Sequence, residues 1–324
     1  MISVIIPIWN SGTVLDECLS SLVSQTEKDW ECLLIDDGSE DNSFQICSHW
    51  SEFDRRFKVF QQDHLGVSAA RNRGIQESAG DYLVFVDSDD TMAPTCLENL
   101  ISPLPADLVI GGYCRCFPDS NEEDAHFLPV SRVTFKITPK HEAVFADLND
   151  KFLLYSSWAK LFNANIIKHN RIQFPENRSL GEDLEFNYQY LNFVDSLSCI
   201  TDCIYFYHIR KNNESLSSKR RPGQFYSDLE QWRIIKSFSE THGVIQKEMA
   251  IVLAKRLWEI VYDSLLLHCP SMRYGFSYFR DVLSIPEISY LTKYKSVYPG
   301  PRWIKALMIH RVALFFYIYD RFSQ

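Results

Sequence analysis

Two pairs of acidic residues follow apolar runs of the chain and have the composition of a cation site. Asp36 and Asp37 follow one run, and Asp87 and Asp89 follow the run that closes with Val86. In an extended segment the side chains at i and i+2 share a face, so Asp87 and Asp89 can bind one cation together. Carboxylate oxygens favour Mg²⁺ or Mn²⁺, and Mg²⁺ commonly joins carboxylates to substrate phosphates. The sequence therefore predicts a Mn²⁺ or Mg²⁺ site for a phosphorylated ligand; the alternative is a solvated acidic turn.

Strand and helix patterns alternate around these residues. Four apolar runs predict strands at 2–6, 32–35, 57–60 and 82–86, with Pro7 ending the first. The segments between them carry apolar residues at helical spacing. Strands that are apolar along their length and joined by helices are typical of an α/β fold with a mostly parallel sheet covered on both faces. Ligands of such sheets bind beyond the carboxyl ends of the strands, so both acidic pairs are expected at one edge.

Four segments of this region resemble, in order, the signature of glycosyltransferase family 2: Val4–Asn10 (VIIPIWN), Leu34–Ser39 (LIDDGS), Gly66–Gly74 (GVSAARNRG) and Phe85–Asp90 (FVDSDD). The resemblance covers the first hundred residues and continues weakly to about residue 215. It implies a GT-A fold, a nucleotide-diphosphosugar donor, a divalent metal ion and inversion at the anomeric carbon.

The resemblance also assigns residues to the nucleotide. Pro7, Trp9 and Asn10 fall in the loop that covers the base in this family, with Trp9 where the family usually has tyrosine. A carboxylate of Asp36 or Asp37 can accept a hydrogen bond from the N3–H group of uracil. We therefore expect a UDP-sugar as the donor.

A glycine, an arginine and the acidic segment complete the expected donor site: Gly66, Arg71, Asp87 and Ser88. Glycine at position 66 would let the backbone approach the ligand closely. Arg71 would reach the base or the phosphates, with a solvated helix charge as the alternative. The metal is expected on Asp87 and Asp89, and His208, which follows an aromatic strand pattern, is the candidate third ligand or diphosphate contact. A purely structural histidine is the alternative there.

A further acidic pair, Glu182 and Asp183, opens a predicted helix. Carboxylates are favourable at a helix N-terminus, which is the simpler explanation. The pair resembles the acidic pair of the family whose aspartate is the catalytic base, and the upstream segment Ser157–Phe162 (SWAKLF) matches the family as well. An inverting transfer needs a base to take the proton of the acceptor hydroxyl. Asp183 is the candidate base; Glu182 is the alternative, or orients the acceptor.

The chain divides by pattern into a catalytic domain at 1–215 and a helical region at 216–324. Within the first, 1–100 would bind the nucleotide-sugar and 101–215 the acceptor. Residues 293–324 carry six basic residues and one acidic residue, a net charge of 6 − 1 = +5, together with many aromatic residues. This tail suits contact with an anionic membrane surface. The alternative is docking on the catalytic domain or on the partner of a homodimer.

Composition narrows the remaining choices. A net charge of −9 disfavours nucleic acid as a partner. The chain lacks a run of about 18 apolar residues and a signal-peptide pattern, and the cysteine spacing predicts reduced thiols, so we expect a cytoplasmic protein, peripheral to the membrane at most. Neither a G-x-G-x-x-G nor a P-loop motif follows the first strand, which excludes a dinucleotide-dependent oxidoreductase. We expect a metal-dependent enzyme that transfers a hexose or N-acetylhexosamine to a glycan or lipid-linked acceptor for cell-surface polysaccharide; the alternative is a catalytically silent donor-binding subunit.

Overall fold

The computed structural model describes residues 1–117, 123–126, 133–178, 180–209, 224–267, 282 and 284–293. Its contacts divide the chain into two compact units, Met1–Lys219 and Arg220–Gln324. The candidate site residues all belong to the first unit. The predicted tail contact at 293–324 lies outside the described residues, apart from Lys293.

The described part of the first unit contains ten strands and seven helices. The strands are β1 (Ile2–Ile8), β2 (Trp30–Asp36), β3 (Phe57–Gln61), β4 (Tyr82–Phe85), β5 (Thr91–Met92), β6 (Leu108–Cys116), β7 (Glu123–His126), β8 (Val133–Phe135), β9 (Lys160–Asn163) and β10 (Leu197–His208). The helices are α1 (Leu15–Val23), α2 (Ser43–Phe53), α3 (Val67–Glu77), α4 (Cys96–Ile101), α5 (Glu142–Asp150), α6 (Ala164–Asn170) and α7 (Glu182–Leu191).

The strands form one sheet in the order β3-β2-β1-β4-β9-β6-β10-β5, with β7 paired to β6 and β8 to β10. Its first four strands in this order are parallel, as predicted, and every residue of β1 and β2 is buried. Helix α3 packs closely on this half, because a Cβ at Gly74 would lie 2.3 Å from Cγ2 of Ile5. Because Gly74 has no Cβ, α3 can lie directly against the sheet.

The other half of the sheet is mixed. Strand β9 lies between β4 and β6 and is antiparallel to both, while β10 is parallel to β6. Strands β4, β6 and β10 therefore share a direction, and β9 begins where they end. This reversal brings the start of β9 to the edge of the sheet that carries the acidic residues. Periodicity could not predict the direction of β9, because four residues that begin with a buried lysine carry too little apolar pattern.

The described part of the second unit is helical, with α8 (Gln224–Thr241), α9 (Lys247–Leu267) and α10 (Ile288–Lys293). Helices α8 and α9 pack through buried side chains, and the indole of Trp232 donates a hydrogen bond to the carbonyl of Leu253. The described helices include none with both the length and the apolar character needed to cross a bilayer.

Candidate active site

Arg71 is the centre of the acidic edge. Its Nη1 lies 2.8 Å from Oδ1 of Asp183 and 3.5 Å from Oε1 of Glu182, and its Nη2 lies 2.8 Å from Oδ1 of Asp87. Only 4% of its side chain is exposed. One guanidinium therefore joins the segment after β4 to the first turn of α7. The structure thus brings Asp87, Glu182 and Asp183 together around one guanidinium.

Arg71 is not the solvated helix charge that the sequence left as the alternative, and its contact with the base or the phosphates stays a prediction. Alanine, glycine and isoleucine residues beside it on α3 are buried as well, so this face of the helix lies inside the protein. Both terminal nitrogens of the guanidinium donate hydrogen bonds to carboxylates, those of Asp87, Glu182 and Asp183. Together they raise the pKa of Arg71 against the opposing effect of burial. The arginine is therefore a fixed cation within the site.

Asp183 has the properties of a proton acceptor. Its side chain is 16% exposed, and burial raises its pKa to about 6 although Arg71 opposes the shift. Glu182 and Asp87 raise this pKa further, while a hydrogen bond from the main-chain N–H of Ser157 lowers it. A carboxylate with a pKa near the operating pH is well suited to general-base chemistry.

Asp90 anchors the acidic segment from beneath. It is fully buried, accepts a hydrogen bond from the Tyr205 hydroxyl at 2.7 Å and another from the main-chain N–H of His208 at 2.9 Å. The Tyr205 oxygen also accepts from the main-chain N–H of Asp87 at 3.1 Å. Burial and the neighbouring aspartates raise the pKa of Asp90 well above its ordinary value. Asp90 and Tyr205 therefore hold the segment in shape, a task that sequence reasoning did not assign to either.

The carboxylates of Asp87 and Asp89 fit a hard divalent cation by their chemistry. Both residues are half-buried at the sheet edge. The segment is a turn closed by a hydrogen bond from the Asp90 N–H to the Asp87 carbonyl, which corrects the extended conformation assumed from the sequence. The Nε2 atom of His208 lies 2.9 Å from the Thr91 hydroxyl. The described residues contain no group of three or more His, Cys, Asp or Glu side chains arranged to bind a metal ion. The third-ligand role of His208 stays a prediction.

Ser88 links the acidic segment to the loop after β1. Its hydroxyl is 2.7 Å from that of Ser11, and both residues are buried. This contact shapes the loop that the sequence assigned to the base. Pro7 differs from its prediction, because it is buried within β1, which continues to Ile8. In a parallel ladder alternate residues turn their N–H away from a given neighbour, so a proline can be accommodated.

The two aspartates after β2 have different surroundings. Asp36 is buried, with Oδ2 accepting from Gln61 at 3.1 Å and Oδ1 without a partner in the described residues. Asp37 accepts from Gln62 and from the main-chain N–H groups of Leu65 and Gly66. An unpartnered buried oxygen is costly, so Asp36 retains capacity for a donor such as a base N–H. Asp37 instead anchors the loop before α3.

Two aromatic rings stack between the loop after β1 and the loop after β3. The ring of Trp9, 53% exposed, stacks on His64 with centroids 4.5 Å apart. Asn10 adopts a left-handed φ of 50° and accepts a hydrogen bond from the N–H of Glu40. Sequence reasoning found Trp9 and Asn10 but missed His64, which has no motif of its own.

Gly66 has open space where a Cβ would stand. Its φ of 95° is the conformation that other residues rarely adopt. Within the described residues nothing lies within 4 Å of that Cβ position, so the backbone geometry, and not close packing, requires glycine here.

The parallel half of the sheet, with aspartates at the edge where its strands end, is typical of the GT-A fold. The family model of glycosyl transferase family 2 matches residues 3–169, which is more than half of the chain. The chain belongs to glycosyltransferase family 2.

Individual relatives agree with this membership. Glycosyltransferase GlyA of Streptococcus pneumoniae is 31% identical over 222 residues, which cover 66% of this chain and 31% of GlyA. EpsH of Bacillus subtilis is 29% identical over 251 residues, 76% of this chain and 71% of EpsH. The chain therefore spans less than a third of the length of GlyA and most of EpsH.

A solved structure confirms the fold. The crystal structure of S. aureus TarS 1-349 in complex with UDP-GlcNAc superposes with a TM-score of 0.68. The match covers 98% of this chain and 89% of that chain at 19% sequence identity. The α/β GT-A fold expected from the sequence is thereby confirmed.

Proposed function

We propose that this protein is an inverting glycosyltransferase that moves a sugar from a UDP-sugar to a hydroxyl group of a glycan or lipid-linked acceptor. The arrangement of Asp87, Arg71 and Asp183 carries this proposal. It joins the metal-binding position of the family to a carboxylate whose pKa of about 6 suits a base. The catalytic chemistry would reside in residues 1–215.

The reaction follows from the position of Asp183. Its carboxylate takes the proton of the acceptor hydroxyl as that oxygen attacks the anomeric carbon of the donor. The new C–O bond forms on the face opposite the leaving group, and the bond from the anomeric carbon to the diphosphate oxygen breaks. UDP leaves with the electron pair, which inverts the configuration. A positioned base contributes about 10²–10⁴-fold to such a step.

Asp87 and Asp89 would hold the Mn²⁺ or Mg²⁺ ion. Bound there, the cation would neutralise the diphosphate charge. Arg71 balances part of the negative charge that two acidic elements bring together, because its guanidinium contacts both Asp87 and Asp183. Without a cation between them, these carboxylates would repel one another and take up protons.

The preference for a UDP donor is supported by Asp36 and by one structural neighbour. The unpartnered Oδ1 of Asp36 can accept the N3–H of uracil, and Trp9 offers an exposed ring for stacking on the base. TarS, which shares the fold, was crystallised with UDP-GlcNAc. The donor sugar is a hexose or an N-acetylhexosamine, and the product belongs to cell-surface polysaccharide or glycoconjugate.

A donor panel tests the proposal. The protein is incubated with UDP-glucose, UDP-galactose, UDP-GlcNAc and UDP-GalNAc, each with Mn²⁺ or Mg²⁺, and release of UDP is measured. We expect slow release of UDP from one donor in the absence of acceptor. Binding of UDP without turnover of any donor, with or without glycan acceptors, would instead favour a silent donor-binding subunit.

A further inference from the structure

The segment 152–159 connects α5 to β9 and has a left-handed residue at each end. Phe152, with a φ of 59°, caps the end of α5, and the N–H of Leu153 there donates to the carbonyl of Leu148. Ala159 has a φ of 55° without such a cap, and because it is not glycine this conformation costs free energy that other contacts must offset. Strain of this kind persists where the surrounding structure fixes the backbone.

This segment packs against two parts of the candidate site. Asn187 of α7, one turn after Asp183, binds two main-chain carbonyls of the segment, so the segment lies against the helix that carries the candidate base. The indole of Trp158 stacks on Tyr205 with centroids 4.6 Å apart, and Tyr205 holds the acidic segment through Asp90. Residues 152–159 therefore contact both the helix of the base and the tyrosine that holds the acidic segment.

Two buried side chains hold the segment from within the protein. The Lys160 ammonium donates to the carbonyls of Ser156 at 2.7 Å and Trp158 at 3.2 Å. The Asn187 amide donates to the same Ser156 carbonyl at 2.7 Å and to that of Leu154 at 3.0 Å. Both residues are 1% exposed. Two side chains thus bind the carbonyls of every second residue from 154 to 158.

Lys160 is exceptional for its surroundings. Lysine is rarely fully buried unless it is paired, and both of its hydrogen-bond acceptors here are main-chain carbonyls. Burial lowers the pKa of Lys160 to about 7, and the charge of Asp183 acts in the opposite direction. A leucine or methionine would fill the same volume without this cost.

We propose that Lys160 is a positioning residue for catalysis, which, with Asn187, holds the segment 152–159 against α7 and so fixes the position of the Asp183 carboxylate. Lys160 touches neither donor nor acceptor in this role. It acts on the transfer step through the base and leaves binding of UDP to other residues. The inference rests on the proposed function for its kinetic part, and on the backbone contacts alone for its structural part.

The test compares Lys160→Met and Asn187→Leu with the wild type and with Lys168→Met. Lys168 also donates to a main-chain carbonyl, that of Ser78, but lies on α6 and contacts none of the site residues. Three quantities are measured: kcat, the dissociation constant for UDP with Mn²⁺, and hydrogen exchange of the backbone amides of 154–159. A small displacement of a catalytic group can lower the rate by about 10²-fold.

We expect kcat to fall by at least about 10-fold in Lys160→Met and Asn187→Leu, with the UDP dissociation constant within about twofold of wild type and faster exchange of the Ser157 amide. Lys168→Met should match the wild type in all three. Wild-type kcat and exchange in Lys160→Met would overturn the inference, as would a loss of kcat with unchanged Ser157 exchange. If Lys160→Met fails to fold, Asn187→Leu carries the same test.

A failure of the proposed function would look different. In that case the wild type turns over none of the donors, and no kcat can be compared. Exchange of the Ser157 amide in the variants still decides whether Lys160 and Asn187 hold the segment. The two failures are therefore distinguishable.

Discussion

Arg71 donates from Nη1 to Oδ1 of Asp183 at 2.8 Å across a separation of 112 residues in the chain. The same guanidinium donates from Nη2 to Asp87. This connection joins the nucleotide-sugar half of the fold to the helix that carries the candidate base. A change in the charge or position of Asp87 or Asp183 therefore affects the other carboxylate through the guanidinium that both contact.

Replacement of Arg71 by lysine should separate charge from geometry. An ammonium is a point charge and cannot reproduce the rigid fork that reaches Asp87 and Asp183 together. We expect kcat to fall by at least about 10-fold, with both carboxylates less well fixed. Steady-state kinetics with saturating donor measure the effect.

Arg73→Lys is the matched control for that variant. Arg73 lies on the same helix and pairs with Glu77 at the exposed surface. It should retain the kcat of the wild type. If Arg71→Lys also retains it, a fixed guanidinium between the two carboxylates is not required for turnover.

The pH dependence of kcat should reflect Asp183. A base must be deprotonated to accept a proton, and burial raises the pKa of this carboxyl to about 6. We therefore expect kcat to increase by about 10-fold per pH unit below that value and to level off above it. A profile at saturating donor and constant Mn²⁺ measures this. A kcat that stays constant down to about pH 4, the ordinary range of an aspartate, would show that Asp183 is not the group that titrates.

Removal of the metal ion or of one of its proposed ligands should stop transfer. EDTA is expected to abolish UDP release, and added Mn²⁺ or Mg²⁺ to restore it. Asp89→Ala should lose most activity at any metal concentration that saturates the wild type, while its unfolding midpoint in urea changes little. Asp202→Ala, which removes an exposed carboxylate from β10, is the control. Full activity of Asp89→Ala would remove Asp89 from the metal site.

The basic and aromatic tail should bind anionic membranes if the proposed surface contact exists. Flotation with anionic and neutral liposomes at low salt compares the full chain with a truncation after Tyr298. We expect the full chain to float with anionic vesicles and the truncated chain to remain unbound, because cations meet anionic lipid while aromatic rings enter the interface. Full-length protein that stays unbound would favour docking of the tail on protein.

The parallel half of the fold was predictable from local pattern. The apolar runs at 2–6, 32–35, 57–60 and 82–86 correspond to β1 to β4. A strand buried on both faces leaves a continuous apolar run, as in β1, β2 and β4; β3, at the edge of the sheet, is mostly half-buried or exposed. The helix beginning at Glu182 was also correct. Strand β9 was missed, because four residues that begin with a buried lysine do not form an apolar run.

The candidate site was predictable by residue and less so by contact. Asp87, Asp89 and Asp183 follow from motif and position, whereas the contact of Arg71 with three carboxylates depends on how distant elements pack. Asp90 and Tyr205 gave no signal, since an aspartate in an acidic run and a tyrosine in an aromatic strand have common local explanations. Lys160 did carry a signal in the sequence. A lysine within the apolar segment SWAKLF must be buried if that segment is a central strand.

The most direct test of the proposed chemistry is the rate of sugar transfer by Asp183→Asn at saturating donor and acceptor. Asparagine preserves the shape of the side chain but cannot take the proton, so we expect kcat to fall by at least about 10²-fold. The dissociation constant for UDP should remain close to that of the wild type, because Asp183 serves the acceptor hydroxyl. An Asp183→Asn variant that binds UDP and transfers sugar at the wild-type rate would contradict the assignment of the base.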